Sequence, residues 1–297
     1  MSITLLLLPD FALILFGFFL NRITDWGRDV WSGLEKLIYY VLFPALLFHS
    51  LAKNRIDFVA ATPALKAALA IVLCGIALAW AARYFFKVEE KTFASGFQTA
   101  FRFNSYIGLS IAGRWYGDAG IAAFGIIVGL VVPLCNIASV WALARHAETH
   151  PVKELLQNPL LLATVGGVLY SLSGLPLPEL LQMLMTRMGS ASLACGLLCV
   201  GAALTFSNVQ RNAPLIGYFT LVKLVAMPLV AIWIVHAIGL SGIYLDMVLL
   251  LACLPTATSA YVLAVRMGGD GPMVAQCVTI STLCGMMTMP FWLSLAR

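Results

Sequence analysis

Ten apolar runs, joined by short polar connections, leave this sequence little to become except a membrane-spanning helical bundle. They fall at approximately 4–20, 34–53, 64–86, 93–113, 119–142, 158–175, 179–206, 214–238, 243–265 and 272–295. Each approaches the roughly 20 residues that an α-helix needs to cross the hydrocarbon core of a bilayer. No water is available there for backbone N–H and C=O groups, so such runs become helices, which pair those groups internally. The charge content agrees. Only 10% of the 297 residues are charged, and mean hydropathy is +0.95, whereas a soluble domain carries about 25% charged residues. So few charges cannot clothe a soluble surface, and the apolar excess must face lipid. The prediction is an all-α polytopic membrane protein, one membrane unit over 1–297, with the lipid bilayer as its surroundings.

The first run lacks a basic segment before it, and Asn21-Arg22-Ile23-Thr24-Asp25 follows it without a small-residue cleavage site. It reads as a retained first span rather than a secretory signal. The seven cysteines (74, 135, 195, 199, 253, 277, 284) all lie in apolar runs, with no Cys-x-x-Cys pair. They read as small packing residues, and neither metal nor cofactor is expected. The net charge of +5 is spread over short loops, which is no footprint for nucleic acid but does give an orientation. With the N-terminus outside, the cytoplasmic loops carry Arg22, Arg28, Lys36, Arg83, Lys87, Lys91, Arg145, Lys153, Arg211 and Arg266. The opposite side carries Lys53, Arg55, Lys66, Arg114 and Arg297. Both termini are therefore expected on the non-cytoplasmic side of a cell's inner (plasma) membrane.

The most charged stretch in mid-chain, from Ala144 to Glu154, separates five spans from five. The expected division is a first repeat at 1–143, a cytoplasmic linker at 144–157 and a second repeat at 158–297. The halves match best in their fourth spans. Asn104-Ser105-Tyr106-Ile107 is followed by Gly117-Asp118, and Ser259-Ala260-Tyr261-Val262 by Gly269-Asp270. An odd number of spans per half makes the second repeat upside down relative to the first. Inverted repeats supply two related conformations from one chain, the usual basis of alternating access, so the chain is expected to be a secondary transporter.

Polar groups inside hydrocarbon need a reason. Arg102 lies about nine residues into span 4, roughly 14 Å at 1.5 Å per residue, and Lys223 sits at similar depth in span 8. No Asp or Glu reaches comparable depth in spans 3–5 or 8–10. Two deep cations without an acidic partner favour an anionic substrate, most simply a carboxylate. The other reading of both residues is a bond to backbone carbonyls or a reach to the interface. Pro255 in span 9 removes a backbone hydrogen bond, and Thr256, Thr258 and Ser259 supply hydroxyls beside that break. Span 4 is expected to break at Gly108, with half-helix N-termini meeting there to favour an anion. Asn136 in span 5 is a candidate for the same polar centre. His49 and His236, near span ends, suit interfacial positions better than a proton relay. Nothing in the chain looks catalytic.

Several motifs together resemble the auxin efflux carrier family, in its bacterial branch. They are Arg102-Phe103-Asn104-Ser105-Tyr106-Ile107-Gly108, Val132-Pro133-Leu134-Cys135-Asn136, Gln157-Asn158-Pro159-Leu160, Lys223 with Met227-Pro228-Leu229, Leu254-Pro255-Thr256-Ala257 through Tyr261-Val262-Leu263-Ala264, and Ser281-Thr282-Leu283 with Met289-Pro290. The resemblance implies ten spans in two inverted five-helix repeats, NhaA-like or bile-acid-symporter-like, with broken helices 4 and 9 crossing at the substrate site. Spans 1, 2, 6 and 7 would form a scaffold that also makes a homodimer, and spans 3–5 and 8–10 a moving transport domain. It implies a small organic anion as substrate, an indole acid, malate or malonate, carried by an elevator-type movement. Asn104 would be the crossover asparagine. The implied site takes in Arg102, Asn104, Ser105, Tyr106, Gly108, Asn136, Lys223, Pro255, Thr256, Thr258, Ser259 and Tyr261. Where plant members have proline before that asparagine, this chain has Phe103, in keeping with a break at Gly108. Span 7 lacks the family's proline around Ala194-Cys195-Gly196, and about fifteen residues replace the long plant loop. A sodium-coupled symporter of bile-acid type and a membrane sensor that binds an anion without moving it are the alternative readings.

Overall fold

The computed structural model describes residues 3–53, 58–143, 159–205 and 212–295, and every regular element among them is helical. α1 (Ile3–Ile23) is followed by α2 (Arg28–Leu37), which runs through one π turn (Ile38–Leu42) into α3 (Phe43–Lys53). α4 (Phe58–Phe85) leads to α5 (Glu90–Phe97) and the long α6 (Ser105–Leu143). α7 (Pro159–Ser173) and α8 (Glu179–Ala202) come next. α9 (Ala213–Leu221) passes through a second π turn (Val222–Ala226) into α10 (Met227–Ala237). α11 (Gly242–Cys253), α12 (Ser259–Arg266) and α13 (Gly271–Leu295) complete the described chain.

Six helical stretches among the described residues are long and apolar enough to cross a bilayer, and α7 and α11 are shorter apolar helices. One of the six covers 90–143. Drawn straight it would extend about 80 Å, more than twice the hydrocarbon thickness of about 30 Å. It bends at Gly117, where φ is 58°, a left-handed conformation that only glycine adopts readily. The expected linker at 144–157, and Gln157-Asn158 at the start of the span-6 motif, lie outside the described residues.

Two prolines explain the two π turns. Pro44 and Pro228 each lie two residues beyond one. Proline has no N–H for the carbonyl four residues earlier, and widening the preceding turn accommodates the missing bond. For Pro228 that carbonyl belongs to Leu224. It accepts the indole N–H of Trp292 in α13 at 2.8 Å instead, so a bond lost within one helix becomes a bond between two.

By their neighbours the helices fall into two groups, with α6 packed against both. In the first, α1 lies along α8, and α3 along α7 and α8. Here backbones touch: a Cβ on Gly17 would overlap the carbonyl of Leu198, and one on Gly201 the carbonyl of Ile14. In the second group, α11 packs on α4 and α6, α10 on α4 and α11, and α12 on α13. The largest buried hydrophobic cluster runs through both, from Ile14 and Leu47 to Phe101, Phe124 and Leu250.

Candidate functional site

Two helical stretches are broken in mid-course, one at 101–104 and the other at 254–258, and the breaks lie against each other. The backbone N–H of Asn104 donates to the carbonyl of Pro255 at 2.9 Å. The Thr256 hydroxyl donates to the carbonyl of Thr99 at 2.7 Å, and the Gln98 amide to the carbonyl of Ala260 at 3.1 Å. The Thr256 N–H is taken by the Ser281 hydroxyl at 3.2 Å. Groups freed by interrupting one helix are thus satisfied by the other, as buried backbone requires.

The break expected at Pro255 is present, but the break in the first half is not at Gly108. Gly108 lies inside α6 and the chain unwinds over Phe101–Asn104. The reason is Asn104. Its side-chain oxygen accepts the N–H groups of Tyr106 and Ile107 at 3.1 and 3.3 Å, which caps a new helix beginning at Ser105. Gly108 serves packing instead, lying against the Phe124 ring, with Leu254 2.8 Å from where its Cβ would be. The segments that matched between the halves both lie at a break, one position out of step: Asn104 immediately precedes α6, whereas its counterpart Ser259 is the first residue of α12.

A cavity of about 150 Å³ lies at this crossing, lined among others by Arg102, Asn104, Ser105, Tyr106, Asn136, Thr258 and Ser259. Those are seven of the twelve residues expected in the site. It opens into a vestibule of about 570 Å³ lined by Ser32, Glu35 and Lys36 of α2, Val140, Pro159 and Leu263. Both spaces are shared by Tyr39, Arg102, Tyr106, Asn136, Thr258 and Ser259. Access is therefore from the face where α2 and α7 begin and α6 ends.

The remaining five expected residues do not line the cavity. Gly108, Pro255 and Thr256 build the crossing behind it, and Tyr261 packs with Ala260, Ala264, Val274 and Val278. Lys223 is fully buried (0% exposed). Its Nζ lies 3.7 Å from the Met227 sulfur and 6.0 Å from the centre of the Phe103 ring. Phe103 lines the cavity, so Lys223 stands behind it. Depth along a span was readable in the sequence, but the direction in which Lys223 points was not. His49 is buried in α3, and His236 bonds the Ile232 carbonyl at 2.7 Å; neither lines the cavity.

The opposite wall carries no sequence signal. Tyr39 in the first π turn, Phe43 of α3 and Leu160 of α7 line the cavity from the first helix group, and the Phe43 and Tyr106 rings meet edge to face at 4.8 Å. The cavity thus lies on the boundary between the two groups. Aromatic residues in apolar spans carry no signal that separates a cavity wall from core, so nothing short of the fold exposes them.

Electrostatically the cavity is rich in donors. Arg102 reaches across the crossing, one guanidinium nitrogen donating to the Ser259 hydroxyl at 3.0 Å. Its other terminal nitrogen, Nη1, is buried with no acceptor, and so is the Nδ2 of Asn104. The positive ends of α6 and α12 point into the same region.

A family model described as "Membrane transport protein" matches residues 2–293. The chain belongs to that family. This bears out the resemblance to auxin efflux carriers, and the protein is a multi-pass membrane transporter. It is 26% identical to a protein of Rhizobium meliloti (strain 1021) named "Putative malonate transporter", over 100% of this chain and 96% of that one. It is 24% identical to the "Uncharacterized transporter YfdV" of Escherichia coli (strain K12), over 98% of this chain and 96% of the relative. It is also 23% identical to an "Uncharacterized transporter" of Methanothermobacter thermautotrophicus, with 98% of both chains covered.

Proposed function

We propose that this transporter carries small organic anions, carboxylates of the size of malonate, malate or an indole acid, by elevator-type alternating access. The observation that carries the proposal is the pair of orphan donors. Arg102 Nη1 and Asn104 Nδ2 are buried at the cavity without an acceptor. Leaving such a group unpaired costs about 1–3 kcal/mol, more for a charged one. A carboxylate supplies acceptors for both, and Lys223 adds positive potential from behind Phe103. The match to a relative named for malonate transport supports the same substrate class.

In this reading the chain makes ten spans in two inverted five-helix repeats, 1–143 and 158–297. The first helix group (spans 1, 2, 6 and 7) is the scaffold, through which a homodimer forms. The second (spans 3–5 and 8–10) is the moving body that carries the crossing. A cavity walled by one residue set from each group supports it, since sliding one group along the other would close one mouth and open another. With both termini outside the cytoplasm, the vestibule opens inward.

The test is uptake of labelled malate, malonate and indole-3-acetate into proteoliposomes, each with and without proton and sodium gradients. Saturable flux of one acid with competition from the others supports the proposal. Binding without flux favours the sensor reading, a sodium requirement favours the bile-acid-type symporter, and selectivity for neutral or cationic solutes overturns the anion assignment.

A further inference from the structure

The face opposite the vestibule is held by charge. Asp10 of α1 is almost wholly buried (1% exposed). Its Oδ1 accepts the Ser110 hydroxyl at 2.6 Å and the Arg114 guanidinium at 2.9 Å, both from α6. α1 belongs to the first helix group and this part of α6 to the second, so the cluster joins the two groups. At the same end of the bundle Lys53 of α3 pairs with Asp118 at 2.7 Å, again across the groups, though in a more exposed setting. Among the described residues these are the two ion pairs that link the groups, and both lie at the end opposite the vestibule. Towards the vestibule face the groups share a neutral bond, from the Thr205 N–H to the Thr279 hydroxyl at 2.9 Å.

We propose that Asp10, Ser110 and Arg114 form a separable latch that keeps the sealed face shut while the cavity is open to the vestibule. The inference rests on the alternating-access reading above. Three features suit a latch better than a permanent brace. The acid and the base sit on different groups, so any relative movement must part them. Arg114 keeps about a third of its side chain exposed (34%) while Asp10 is buried, so the pair is uncovered on one side. Finally, Asp10 Oδ2 is buried without a partner. A buried carboxylate pairs poorly unless all its lone pairs are met, and an opening that hydrates Oδ2 offsets the loss of Arg114. The two states are thereby kept close in free energy, as a two-state carrier needs.

Cys135 lines the cavity and serves as the reporter. Full-length protein in oriented vesicles is treated with a membrane-impermeant thiol reagent from each side in turn, and the signal lost on Cys135→Ser is taken as Cys135 labelling. Asp10→Asn and Arg114→Gln should each raise labelling from the sealed face severalfold and lower it from the vestibule face. Arg114→Lys, which keeps the ion pair, should label like the parent. Unchanged labelling in both neutral variants, with the protein monodisperse in detergent, overturns the latch. So does equal labelling of Arg114→Lys and Arg114→Gln above the parent. The assay needs no substrate, so failure of the latch is distinguishable from failure of the anion assignment.

Discussion

Asn104 and Pro255 meet through their main chains, the N–H of one on the carbonyl of the other at 2.9 Å. The bond joins residues from opposite halves of the sequence at the point where both spans unwind. It frees the Asn104 side chain for two other tasks, capping α6 through Oδ1 and, in the proposed function, offering the buried, unpaired Nδ2 to the carried acid.

Those tasks can be separated. Asn104→Ala removes both and should lower stability by about 1 kcal/mol through the lost cap. Asn104→Asp keeps an oxygen for the cap, removes the donor and adds a negative charge. It should leave thermal unfolding in detergent near the parent while reducing carboxylate flux at least tenfold, about 1.4 kcal/mol. Retained flux in Asn104→Asp would refute the donor role.

Arg102 should not tolerate lysine. One guanidinium nitrogen bonds the Ser259 hydroxyl and, in the proposed function, the other is left for the carried acid; a single ammonium cannot occupy both positions. Arg102→Lys should raise the half-saturation concentration for the carried acid about tenfold, with a smaller change in maximal rate, and Arg102→Gln should raise it further. Concentration-dependent uptake in proteoliposomes measures both. Equal affinity of parent and lysine variant counts against a forked contact.

Trp292 and Pro228 should be energetically coupled. Trp292→Phe strands the Leu224 carbonyl that Pro228 has freed, at about 1–3 kcal/mol for a buried unpaired acceptor. With Pro228→Ala, a backbone N–H returns and can bond that carbonyl within the helix. The cost of Trp292→Phe should then shrink by about 1 kcal/mol or more in a double-mutant cycle read by thermal unfolding. Additive effects would sever the link.

Gly201 and Gly27 make a contrast. A Cβ at Gly201 would overlap backbone of α1, while at Gly27 it would meet nothing within 4 Å. Gly201→Ala should destabilise by about 1–3 kcal/mol, the range for overpacking a tight contact, and Gly27→Ala should be neutral within about 0.5 kcal/mol. Unfolding midpoints in the same detergent decide it.

Much of this architecture was legible from hydropathy and proline alone. A long apolar run has one favourable fate in lipid, and Pro255 among hydroxyls can mean little besides a broken helix that needs partners. Asn104 was visible as a site residue but not as the start of a helix, since capping depends on backbone dihedrals that residue type does not specify. That is why the break was expected four residues too late, at Gly108. Lys223 was placed at the right depth on the wrong side of Phe103, because depth follows from counting residues whereas facing follows from packing. Asp10 gave no warning at all. Its partners Ser110 and Arg114 lie a hundred residues away and become neighbours only once α1 packs beside α6.

The main-chain bond at the crossing also bears on how such carriers diverge. Any residue except proline offers the N–H supplied at position 104, and every residue offers the carbonyl supplied at 255. Side chains around the cavity can therefore be exchanged for new cargo while the seam between the two halves stays closed. Relatives only about a quarter identical over their whole length can keep one machine and differ in what it moves.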